Sequence, residues 1–180
     1  MHCLPGIIFT FFSIVSALHG LRVNDERMEL SKFHLVNDLS HMARVGFGLA
    51  AMTGQTERVV CKALRHGFRL FDTAQAPEWY DEAALGVALE RCWGRNEHAS
   101  NKNKEKLEDL IIVTKVHPRD YEPSRLLSSL NASIKKIYRT RTAEKNYLDV
   151  ALLHAPWCWE GHCTAEQLRF SWRDGWRALE

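Results

Sequence analysis

The sequence lacks an excess of either charge. Its 24 Lys and Arg residues against 22 Asp and Glu leave a formal net charge of +2, too little to draw the chain as a whole to phosphates or to an anionic membrane. Nucleic acid is therefore not an expected partner. Also missing is a long apolar run. Residues 7–18 (IIFTFFSIVSAL) are uncharged, but a bilayer-crossing helix needs about 20 such residues, so no stable membrane span is expected. Cysteine occurs without a framework. The five residues (Cys3, Cys61, Cys92, Cys158, Cys163) are odd in number, widely spread and without a C-x-x-C pair, a pattern that reads as mostly free thiols. Cys158 and Cys163 with His154 and His162 match no zinc-ligand spacing, and no metal site is expected.

What is present suits one globular α/β domain: 180 residues, 46% of them hydrophobic, are enough for a core. The apolar run at the start, with Val15 and Ala17 as a small-residue pair, reads as a secretory or organelle-targeting leader within residues 1–20, cleaved after Ala17. A core helix or a mispredicted start is the alternative, and without targeting the chain is expected in the cytoplasm. Residues 21–42 are polar, mixed in charge and without a clear period, as in a linker or capping segment. The organised domain is expected over 43–180.

Within it, strand-like and helix-like stretches alternate, which predicts βαβ units and a parallel sheet. Strands are expected at 45–49, 68–74, 110–116 and 147–155, and helices at 56–66, 81–93, 123–138 and 171–180. Thr56 is expected to cap the first helix and Gly67 to end it. Pro123 suits the first turn of the third. The polar stretch 94–107 reads as an exposed loop. Asn131 opens a glycosylation triplet, but one in mid-helix.

Asp72, Lys115 and His154 fall at the C-terminal ends of the second, third and fourth strands, with Tyr80 just beyond the second. Taken singly, each has an ordinary role: a turn cap, a snorkelling strand end, a satisfied core histidine, a packing aromatic. Together they mark one face, the catalytic face of a (β/α) barrel.

The stretches G46-F-G-L, L70-F-D-T-A-Q-A, W79-Y-D-E-A-A-L-G-V-A-L, I112-V-T-K-V and Y147-L-D-V-A-L-L-H-A-P-W, in this order, resemble the aldo-keto reductase family. The resemblance implies an α/β fold of the (β/α)8 TIM type, of which only about the first four β/α units are present, since such a barrel takes about 250 residues. It implies NADPH-dependent reduction of a small-molecule aldehyde or ketone. Tyr80 would then be the proton donor, Lys115 the cation that eases loss of the phenolic proton, Asp72 the partner of that lysine, and His154 a hydrogen-bond donor to the carbonyl oxygen. Gly48, Leu49, Ala50 and Asp72 would contact NADPH, the family's other cofactor contacts lying in later strands. Two features depart from the family pattern. Tyr80 lies further beyond Asp72 than is usual, and counting back from Gly86 puts Trp79 at the tyrosine position; Tyr80 is preferred because an indole cannot protonate a carbonyl. An open sheet would also expose two edges, so self-association to complete the barrel is expected. The alternative function is that of a truncated non-catalytic fragment or a regulatory subunit.

Overall fold

The computed structural model describes residues 15–16, 45–93, 106–142 and 145–180. The expected linker at 21–42, positions 94–105 of the expected loop, and all of the expected leader except Val15 and Ser16 lie outside the described residues. The elements are β1 (Val15–Ser16), β2 (Phe47–Gly48), α1 (Thr56–Arg65), β3 (Leu70–Asp72), α2 (Glu82–Cys92), β4 (Ile111–Val116), α3 (Pro123–Tyr138), β5 (Val150–Leu153) and α4 (Trp172–Leu179), with short 3-10 turns between some of them. The sheet order is β1-β5-β4-β3-β2. Strands β2 to β5 run parallel, while β1 lies antiparallel along β5, Val15 opposite Leu152. Each parallel step needs a crossover, and the intervening helices supply it. The result is an α/β wall, the opening part of a (β/α) barrel.

Packing explains why these stretches settle where they do. The middle strand β4 has one face fully covered, at Ile112, Thr114 and Val116, while on the other Val113 is buried and Ile111 and Lys115 are half-buried. Against the sheet lie Val60 and Leu64 of α1, Leu85 and Leu89 of α2, and Leu126, Leu130, Ile134 and Ile137 of α3, in one core with Phe71 and Ala151. These are the residues that helical spacing turns to one side. The helix ends are fixed locally. The Asp81 carboxylate accepts from the Ala84 amide at 2.8 Å, Pro123 opens α3, and Ser171 with Asp174 forms a capping box on α4. Gly67, just past α1, takes φ +88°, a turn that a side chain would oppose. Thr56 departs from expectation: Gln55 occupies the cap position, and the Thr56 hydroxyl donates to the Met52 carbonyl at 3.0 Å.

At Gly86, α2 crosses the end of α3 with no room for a side chain. A Cβ there would stand 2.2 Å from the Lys136 carbonyl oxygen. Below this crossing, the buried Glu82 carboxylate accepts from Thr114 at 2.7 Å and Ser133 at 2.9 Å, tying α2 and α3 to β4. Lys145, also buried, donates to the Leu110 carbonyl at 2.6 Å and to Asp149, whose carboxylate accepts from the Ile112 amide. That pair seats the entry to β5 against β4.

The expectation of mostly free thiols is corrected. Cys61 pairs with Cys92 and Cys158 with Cys163. Cys61 and Cys92 are 31 positions apart, and only the packing of α1 on α2 brings their Cα atoms to 5.4 Å, so spacing along the chain could not reveal the pair. Among the described residues no helix is long and apolar enough to cross a membrane.

Candidate active site

The parallel register gathers the polar strand ends. Gly48 lies opposite Asp72, Asp72 opposite Val113 and Lys115 opposite Leu152. The His154 amide extends the ladder by one bond, to the Val116 carbonyl at 3.0 Å. Lys115 donates to the Asp72 carboxylate at 2.8 Å and to the Thr73 carbonyl at 2.9 Å. Its ammonium lies 5.0 Å from the centre of the Tyr80 ring, and that ring meets His154 edge-on at 5.9 Å between centroids. The structure thus brings all four residues together.

Local backbone geometry separates Tyr80 from Trp79. Both amides donate to the Ala76 carbonyl at 2.9 Å, and the Trp79 carbonyl accepts from Ala51 at 2.8 Å. The turn points Trp79 outward, 59% exposed, while Tyr80 turns in toward Lys115. The longer loop between Asp72 and Tyr80 is braced by Glu78, whose two carboxylate oxygens accept from the Arg119 guanidinium at 2.8 and 3.1 Å.

Burial dominates the electrostatics. It lowers Lys115 below the ordinary lysine value while the Asp72 carboxylate pulls it back up. Tyr80 is raised, first by burial and then by the negative charge of Asp72, so the phenol stays protonated. His154 is lowered to about 4, by burial and then by the Lys115 charge, and is therefore neutral near pH 7. Its buried Nδ1 has no hydrogen-bond partner among the described residues, unlike a satisfied core histidine.

At the expected cofactor-contacting positions, a Cβ on Gly48 would meet nothing within 4 Å, and Ala50 is exposed. Leu49 differs. Its side chain is wholly buried and its amide donates to the Asp72 carbonyl at 3.0 Å, so its side chain belongs to the core. A cleft of about 450 Å³ opens beside Tyr80 and is lined by Gln75, Glu82, Arg119 and Lys136. Of the polar cluster, Tyr80 lines it and Asp72, Lys115 and His154 do not, so the cleft borders the cluster only at Tyr80.

Sequence reasoning missed His117 and Trp159. His117 lies one residue past β4, a strand-end position like the others, and was detectable on that ground. It is buried and lowered to about 4, chiefly by burial and then by Arg119. Trp159 packs against His154 and His117 at 5.2 and 5.3 Å between ring centroids, a contact across the fold that no local pattern signals. Ligand atoms of His117, Cys158 and Cys163 lie within 4.8 Å of one another. The two sulfurs are bonded to each other, however. His117 Nδ1 also accepts from the Arg119 amide at 3.1 Å and its Nε at 2.9 Å, which puts the ring proton on Nε2, the wrong tautomer for a ligand there. The cluster as it stands is a disulfide beside a histidine.

The model of the aldo/keto reductase family matches residues 44–180. An NAD(P)H-dependent 6'-deoxychalcone synthase of Glycine max is 30% identical over 118 residues, 64% of this chain and 33% of that protein. An aldo-keto reductase of Mycobacterium tuberculosis is 32% identical over 122 residues, 67% of this chain and 36% of that protein. The chain spans about a third of the length of these curated relatives. Among solved structures, the aldose reductase of Giardia lamblia superposes with a TM-score of 0.56 at 23% identity, over 74% of this chain and 43% of that one.

Proposed function

The chain belongs to the aldo/keto reductase family, and on that premise we propose that it takes part in the NADPH-dependent reduction of an aldehyde or ketone to an alcohol, with Tyr80 as proton donor. One observation carries the reading: Tyr80 and His154 stand beside a Lys115–Asp72 ion pair at the C-terminal ends of adjoining strands. The nicotinamide of a bound NADPH would supply the hydride. The open edge formed by Gly48 and Ala50, next to Asp72, suits a flat ring, because no side chain fills it. Those residues would hold it there.

The chain's own residues supply the rest. Tyr80, protonated because its pKa is raised, holds the proton destined for the carbonyl oxygen. The Lys115 ammonium over its ring balances the phenolate left behind, and Asp72 keeps that ammonium charged against the effect of burial. Neutral His154 can donate a ring N–H to the carbonyl oxygen, stabilising charge as it develops. Fluorescence titration with NADPH, followed by NADPH oxidation with aromatic and sugar aldehydes, tests the reading. Saturable binding and aldehyde-dependent oxidation are expected, and the absence of both would overturn it.

A second reading, a non-catalytic partial barrel that pairs with itself or another chain, draws support from the exposed Val45, Trp157 and Leu168. Size-exclusion chromatography with light scattering separates the two. A symmetric dimer that binds no NADPH favours the second.

A further inference from the structure

The loop that follows His154 is tied to itself. After β5 the chain passes Pro156 and Trp157, and Cys158 then bonds to Cys163 across only five positions. Inside the ring so formed, the His162 amide donates to the Trp159 carbonyl at 3.1 Å, and Gly161 takes φ +77°, so Trp159 sits at a tight turn. Its indole covers His154 and His117 on one side and is 42% exposed on the other. We propose that Trp159 is a cover over His154, held in place by the Cys158–Cys163 disulfide, so that access to His154 depends on the redox state of this cysteine pair. The consequence for catalysis rests on the function proposed above; the cover itself does not.

Three features support this. Apart from the disulfide, the ring contacts that hold the loop over the site among the described residues are one edge-on, Trp159 on His154, and two tilted, Trp159 and His162 on His117; His162 Nδ1 also lies 3.7 Å from Glu78, a pair that is ionic only when the histidine is protonated. Such contacts are weak at an exposed site. Both sulfurs belong to partly exposed residues, so a reductant can reach them, whereas in the other pair Cys61 is buried and only Cys92 is partly exposed. Finally, the tryptophan's outer face is already wet, so swinging it away newly exposes only its inner face and the rings beneath it. A small dithiol would reduce the pair by exchange. The Cys158–Cys163 bond breaks to give two thiols, and the dithiol loses two hydrogens as its own sulfurs join. A disulfide oxidant reverses the step.

The test reads access directly, without NADPH or turnover, so an inactive protein would not obscure it. The full chain is treated with diethyl pyrocarbonate near pH 7.5, and modification of His154 is followed by peptide mapping. His154 is neutral there in either state, so the rate reports cover and not protonation. Compared are the oxidised protein, the protein after dithiothreitol, C158S/C163S, and oxidised Trp159→Ala. The last retains both disulfides and serves if the double variant does not fold. A rise of about threefold or more over the oxidised protein is expected after dithiothreitol and in both variants. An unchanged rate after dithiothreitol together with an unchanged rate in Trp159→Ala would overturn the proposal, as would free thiols at Cys158 and Cys163 in protein purified without reductant.

Discussion

His154 and His117 are held neutral in the folded chain, both lowered to about 4 from the ordinary value of 6.5. In the unfolded chain they take up protons as pH falls below about 6.5. The unfolded state therefore binds more protons between about 6.5 and 4, and folding stability must rise with pH through that window. The contribution is fully present above 6.5 and is lost as pH falls toward 4. At pH 5 each histidine is expected to cost about 2 kcal/mol. Urea unfolding at pH 7.5 and pH 5 checks this: the midpoint should fall on acidification, and the fall should shrink in His117→Gln. At this scale the sequence shows which residues stand at the strand ends but not their surroundings. Lys115 and Asp72 are legible because each ends a short apolar stretch. The indole lying over His154 is not, because it arrives from a loop whose path is set by a disulfide.

Among the elements, the helices are the most legible part of the fold. Residues 123–138 form α3 as read, because Pro123 opens a helix whose leucines and isoleucines recur at helical spacing. The strands are shorter than their apolar stretches: 45–49 shrinks to Phe47–Gly48, and 147–155 to Val150–Leu153. Hydropathy marks what is buried, whereas pairing needs a neighbour in register. Close approaches are invisible to either signal. Gly86 reads as an ordinary helix glycine until α3 is seen to cross it, and G86A is expected to destabilise the fold by about 1–3 kcal/mol, although alanine is the better helix former. Chemical denaturation checks this, and a stabilised G86A would show that the crossing gives way. The Cys61–Cys92 pair ties α2 to its other neighbour, α1. Closing a loop of that length is worth about 3–4 kcal/mol in the chain-entropy model, so C61S/C92S should unfold at distinctly lower urea, with a steeper slope because its unfolded chain is freer to expand.

For the whole molecule, the four parallel strands, their helices and the family are all readable from the order of a few short stretches, and 44–180 match the family model. Whether a second copy pairs with the outer strands is not readable, because edge pairing leaves no signal in these stretches. Nor was the choice between Trp79 and Tyr80, since counting from Gly86 favours one and chemistry the other. The folded loop supports the chemistry, with Trp79 turned to solvent and Tyr80 against Lys115 and His154. The most direct test of the central claim is the rate of aldehyde-dependent NADPH oxidation in Tyr80→Phe beside Trp79→Phe. The account predicts a fall of roughly 100-fold or more for Tyr80→Phe, the scale of a lost general acid, and a near-normal rate for Trp79→Phe; undiminished turnover in Tyr80→Phe would contradict it.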